Sequence, residues 1–155
     1  MKKPDTPKVS ELESHLGFWL RFVSNQVSSR FENLLAKHEI SVAEWVAMRS
    51  LYGRADSTHA DLISALGMTK GAASKVISKL EAKGLAERQL SKDSQRAQVL
   101  CLTESGLAMV PKLAVIADEN DAHFFSHMSD TQRQSLATLM RELVEHHQLT
   151  QLPTR

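Results

Sequence analysis

The chain contains a single cysteine, Cys101, so no intramolecular disulfide can form. That usage fits a reducing compartment. It contains no run of about 18 apolar residues, which excludes an ordinary membrane-spanning helix. Its first residues, Met1-Lys2-Lys3-Pro4-Asp5, lack the apolar core of a signal peptide. A cytoplasmic protein without a membrane partner is expected. Also missing are an internal repeat, a low-complexity segment, a Ser/His/Asp order, a phosphate-cradling glycine-rich loop and any pairing of acids that demands chemistry. No enzyme, cofactor or metal centre is therefore expected. With 155 residues, the chain can bury about 70% of its unfolded surface and needs no staple to fold. It is one compact unit.

An excess of charge of either sign is missing, for the net is only +1. Its distribution says more. Between Thr69 and Gln98 lie seven Lys/Arg (70, 75, 79, 83, 88, 92 and 96) against three acids (81, 87 and 93), so the remainder carries a net −3. A basic patch on an otherwise slightly acidic protein is the footprint of a phosphate-contacting face.

The patch coincides with the most ordered pattern in the chain. Gly67-Met68-Thr69 reads as a tight turn, in which Gly67 takes a positive φ and Thr69 caps the next helix. From Lys70 to Lys83, Ala73, Val76, Ile77 and Leu80 recur at i, i+3, i+4, i+7 and mark one apolar face. The opposite face carries Lys70, Ser74, Lys75, Ser78 and Lys79. A helix over residues 60–66 precedes the turn, making a helix-turn-helix. Gly84 suits the end of the second helix. Residues 85–90 and 98–102, flanking the polar tip Ser91-Lys92-Asp93-Ser94-Gln95-Arg96, then predict a β-hairpin.

Helices flank this unit. Ser10-Glu11-Leu12-Glu13 has the pattern of a capping box. Leu12, Leu16, Trp19, Leu20, Val23, Val27, Phe31 and Leu34 then stripe one face over about seven turns. The first half of so long a stripe is expected to pack partly against another molecule. Ser41-Val42-Ala43-Glu44 is a second capping box, with Ile40 and Trp45 spaced as a hydrophobic staple. After Thr103 the helical period returns in Leu107, Val110, Leu113, Ala114 and Ala117, with Pro111 expected to kink or locally break it. Ser129-Asp130-Thr131-Gln132 opens a last helix with Leu136, Leu139, Met140, Leu143 and Val144 inward. The tail 149–155 carries Leu149 and Leu152, placed to pack on a partner. The fold class is mainly α with a small β-wing: a winged helix-turn-helix of six helices, dimerising through its N- and C-terminal helices. Its organisation is 1–37 (tail and dimerisation helix), 38–103 (winged helix) and 104–155 (C-terminal dimerisation helices).

The run Leu66-Gly-Met-Thr-Lys-Gly-Ala-Ala-Ser-Lys-Val-Ile-Ser-Lys-Leu-Glu-Ala-Lys-Gly-Leu85, then Arg96 and Leu100-x-Leu102-Thr103-x-x-Gly106, resembles the MarR family of bacterial winged-helix regulators. The resemblance implies a homodimer that binds pseudopalindromic double-stranded DNA, usually as a repressor. Release by a small aromatic or phenolic effector, or by oxidation, is common in the family. Its wing commonly carries Asp-x-Arg, with the arginine in the minor groove. Here Ser94 stands two residues before Arg96, and the acid lies one earlier, at Asp93.

A major groove about 12 Å wide admits one helix, so base-facing groups must share a face near its N-terminus. Lys70, Gly71, Ser74, Lys75 and Ser78 meet that spacing. Thr69 is placed for a phosphate, and Lys79, Lys92, Ser94, Gln95 and Arg96 for backbone or minor-groove contacts. By resemblance, Trp19, Arg21, Phe22, His38 and Trp45 come from the helices that wall an effector pocket. Two other kinds of sensor within this fold were weighed. Cys101 points away from the core in the second wing strand and reads as a partly exposed structural thiol. His123 and His127 have zinc-compatible i, i+4 spacing with Glu119 a turn earlier, but lie further along their helix than the pair in zinc-sensing family members. Those two, like His146 and His147, read as solvated or interface side chains. Ser78 replaces the acid of the urate-sensing branch. A winged helix serving only protein contacts is the remaining rival, and the Lys/Ser face of the 70–79 helix offers no aromatic anchor for one.

Overall fold

The computed structural model describes residues 6–90 and 98–155. Six helices and one hairpin follow in the expected order: α1 (Leu16–Ala36), α2 (Val42–Leu51), α3 (His59–Leu66), α4 (Lys70–Ala82), β1 (Ala86–Leu90), β2 (Gln98–Leu102), α5 (Glu104–Phe125) and α6 (Asp130–His146). The hairpin is antiparallel, with Ala86 opposite Leu102 and Leu90 opposite Gln98.

Local side chains set most helix starts. Ser41 and Glu44 form a reciprocal capping box on α2, and Ser129 and Gln132 another on α6. Thr58 and Asp61 form a third on α3, where aspartate takes the place of the usual Glu or Gln. Hydrogen bonds from the backbone and side chain of Thr58 hold the Asp61 carboxyl below its ordinary pKa. The Ser10 box does not form. A short 3-10 turn at Leu12–Ser14 precedes α1, which starts after an uncapped His15. Three ends share one device, an i+5 amide returning to a carbonyl over a left-handed residue: Ile40 to Leu35 over Glu39, Leu85 to Leu80 over Gly84, and Leu149 to Val144 over Gln148. Pro111 neither breaks nor ends its helix. α5 runs through it as one element, losing a single backbone donor.

The core lies beneath the helix-turn-helix. Leu35, Met48, Leu51, Leu62, Leu66, Ile77, Leu80, Val110 and Leu113 are its fully buried large side chains. Ile40 belongs to the same cluster, and Trp45 packs against it. Leu35 rather than Leu34 anchors the end of α1. The first half of α1 and all of α6 contribute nothing to this core. Leu16, Trp19, Leu20, Phe22 and Val23 are exposed, as are Leu139, Met140, Leu143 and Val144. The inward placement expected for α6 therefore has no counterpart within one chain.

One junction explains the Leu-x-Leu-Thr-x-x-Gly spacing. Thr103 Oγ1 accepts from the Gly106 amide at 3.1 Å and donates to the Gly84 carbonyl at 2.6 Å. The Thr103 amide meanwhile donates to the Leu85 carbonyl. This brings the Leu85 backbone so close that a Cβ on Gly106 would sit 2.1 Å from the Leu85 oxygen. The neighbour is backbone and cannot swing aside. Gly106→Ala is expected to lower stability by at least about 2 kcal/mol, read as a lowered urea midpoint at unchanged slope.

Candidate nucleic-acid interface

The helix-turn-helix angle is set at Gly67, whose φ of +61° ends α3. Thr69 Oγ1 then accepts from the Ala72 amide at 3.2 Å and starts α4. Ala73, Val76, Ile77 and Leu80 are all buried. That fixes the rotation of α4, so the opposite face must meet solvent. Thr69, Lys70, Gly71, Lys75, Ser78 and Lys79 are exposed there. Ser74 is half-buried at the edge of this face, with its Oγ 3.3 Å from His59 Nε2 on α3. His59 thus flanks the face, a neighbour that spacing along α4 alone could not reveal. Lys92, Ser94, Gln95 and Arg96 lie outside the described residues.

The basic patch divides into two sets. Lys83 and Arg88 are engaged in ion pairs: Lys83 Nζ lies 2.6 Å from Glu44 Oε2, and Arg88 Nε 3.0 Å from Glu81 Oε1. Lys70, Lys75 and Lys79 make no ion pair with any described acid. The lysines of α4 itself therefore stay available along its exposed face, from Lys70 at its start to Lys79 in its last turn.

Lys83 has a structural task. Glu44 is only 4% exposed and spends Oε1 on its own capping box. Its other oxygen takes the Lys83 ammonium, which also donates to the Glu39 carbonyl in the α1–α2 corner. The carboxyl end of α4 is thereby tied to the start of α2. The wing is pinned as well, by the Leu100 amide donating to the Ser57 carbonyl at 2.6 Å in a bridge beside α3.

The remaining candidates are scattered. Trp19 is half-exposed and donates through Nε1 to the Glu13 carbonyl. Phe22 and Arg21 are exposed nearby, and Phe18 packs edge-on against both Trp19 and Phe22. His38 follows the carboxyl end of α1, roughly 25 Å along that helix from Trp19, and Trp45 lies on α2. One chain does not gather these five around a cavity. A groove of about 400 Å³ instead runs along α1 from Gln26 to Lys37 and meets His123 and Phe124. In it Arg30 donates to Oδ1 of the buried Asn120, whose amide group donates to the Val27 carbonyl. Burial and nearby Glu87 push the Cys101 thiol up, opposite to the activation a reactive cysteine needs. Among the described residues, no three His, Cys, Asp or Glu side chains approach closely enough to hold a metal ion.

A buried-backed polar helix entered through a left-handed glycine, with a hairpin pinned beside it, defines a winged helix-turn-helix protein. Residues 38–97 match the model of the MarR family. The chain is 24% identical over 140 residues to the HTH-type transcriptional regulator SarZ of Staphylococcus haemolyticus, covering 90% of this chain and 94% of that one. Its fold matches CouR of Rhodococcus jostii RHA1 bound to p-coumaroyl-CoA with a TM-score of 0.76. That match has 18% identity and covers 94% of this chain and 99% of that one. It also matches MepR of S. aureus in complex with DNA, with a TM-score of 0.75 and 20% identity, over 85% of this chain and 98% of that one.

Lys83→Met keeps the aliphatic stem but leaves Glu44 buried without its cation. Because Lys83 is itself partly exposed, the expected loss is about 2 kcal/mol, below the range for a fully buried pair. Adding Glu44→Gln should recover part of it, a coupling that denaturation of the four proteins in the cycle measures.

Proposed function

We propose that this protein is a sequence-specific DNA-binding transcriptional regulator. It acts as a homodimer on a palindromic operator, as a repressor that a small molecule releases. The observation that carries this reading is the face of α4. Lys70, Lys75, Ser78 and Lys79 are presented outward by a helix whose other side is entirely buried. Lysines donate to guanine O6 and N7, serine pairs with several bases, and Gly71 permits close backbone approach. Thr69 and the first amides of α4 suit a phosphate. Wing residues Lys92, Ser94, Gln95 and Arg96 follow as contacts to the backbone or minor groove. The DNA complex of MepR, a protein of similar fold, supports the same use here.

The dimer is supported by the apolar surface that one chain leaves uncovered on the first half of α1 and on α6. Exposure of this extent marks an interface. A two-fold through it would set the α4 helices about 34 Å apart, one turn of duplex. Trp19 and Phe22 lie on that same surface, so an effector pocket that also included His38 and Trp45 would be built from both copies. An effector preferring another spacing of the α4 helices would release DNA by population shift. Such a protein works in the cytoplasm, and among the described residues no helix is long and apolar enough to cross a membrane.

Lys75→Ala is expected to weaken operator binding and to relax preference at one base pair. Lys79→Ala should weaken matched and scrambled duplexes alike and reduce the salt slope by about one. Titrations at several salt concentrations separate the two, and equal loss on every sequence for Lys75→Ala would refute base reading. Leu139→Glu is expected to give a monomer in sedimentation, with operator affinity lost alongside.

A further inference from the structure

The tail that follows α6 does not project away from the molecule. Gln148 takes a left-handed conformation, with a φ of +52°, and turns the chain back toward its own helix-turn-helix. There the Leu152 amide donates to the Leu66 carbonyl at 3.1 Å. Leu66 is the last residue of α3, and its carbonyl is one of those a helix end leaves without a partner. The Thr150 carbonyl lies against Gly67 so closely that a Cβ there would come within 2.4 Å of it, and within 2.7 Å of the Gln151 Cα. Gly67 therefore serves two demands at once: the positive φ of the turn, and room for a second stretch of backbone.

We propose that residues 150–152 form an intramolecular strap, in which the Leu152 backbone amide and the space left by Gly67 tie α6 to the turn governing the recognition helix α4. The turn between Leu66 and Thr69 sets where α4 begins, and α4 carries the polar face. α6 buries none of its own residues within the chain, and the strap links that helix to the turn, covalently at α6 and through the Leu152–Leu66 hydrogen bond at the turn. A shift of α6 would reach α4 through the strap without crossing the core. The effect on DNA rests on the function proposed above, whereas the docking itself does not.

The test compares five variants with the unmodified chain: termination after Leu149, which spares the Leu149–Val144 hydrogen bond, Leu152→Pro, Leu152→Ala, Gly67→Ala, and Gly67→Ala combined with the termination. Amide exchange at residues 66–69 is followed without DNA. Affinity is measured on duplexes tiling the DNA that flanks the coding region. Termination and Leu152→Pro both remove the donated hydrogen bond. Each is expected to speed exchange at the turn and weaken DNA binding roughly three- to ten-fold, the scale of one such bond. Leu152→Ala keeps the backbone donor and should behave as the unmodified chain. Gly67→Ala should lower the melting temperature less in the shortened protein, where only the strain of its φ remains. Equal behaviour of Leu152→Pro and Leu152→Ala, unchanged exchange on termination, or an equal effect of Gly67→Ala in both backgrounds would each overturn the strap. Tighter DNA binding after termination would overturn its positioning role. If the unmodified chain binds none of the duplexes, the proposed function fails, and the exchange comparison still decides the strap.

Discussion

The carboxyl end of α4 is held from three directions. Lys83 reaches across to Glu44 and the Glu39 carbonyl. Gly84 hands its carbonyl to Thr103, and Leu85 closes back on Leu80 while accepting from Thr103. Where the polar face of α4 points depends on this anchorage. A helix of 13 residues is about 20 Å long, so a small tilt at one end moves the other by ångströms. The N-terminal end, which carries Lys70 and Lys75, is the one that the proposed function presents to a groove.

The anchorage also accounts for the division of labour along the chain. The core residues of α2, α3, α4 and the start of α5 form one cluster with Leu35 at the end of α1. That cluster is complete without α6 and the first half of α1. The apolar side chains left outside it are too many and too contiguous for a solvated surface. The molecule therefore separates a finished core beneath the helix-turn-helix from an uncovered apolar surface.

Much of this was legible in the residues. Capping boxes at Ser41 and Ser129, the cap at Thr69, the turn at Gly67 and the burial of Ala73, Val76, Ile77 and Leu80 all follow from spacings of three or four residues. Physics over such spacings is local, and a linear reading captures it. The failures are informative for the same reason. The Ser10 pattern forms no box because the helix does not begin there: Leu12–Ser14 make only a 3-10 turn, and α1 starts at Leu16. Pro111 leaves α5 continuous because Val110 and Leu113 beside it are clamped in the core. The cost of one missing donor is smaller than the burial lost by ending the helix there.

By itself the sequence determined the elements, their order, their buried faces and the outward set of lysines on α4, since periodicity and caps act between near neighbours. Only the tertiary structure decided which partners meet across long stretches of chain. It paired Lys83 with Glu44, 39 residues apart, and Arg30 with Asn120, 90 apart. It placed His59 beside Ser74 and returned Leu152 to Leu66. No local pattern specifies such pairings, because any exposed lysine or backbone carbonyl is chemically eligible. Their selection comes from how the packed helices bring particular groups within hydrogen-bonding reach.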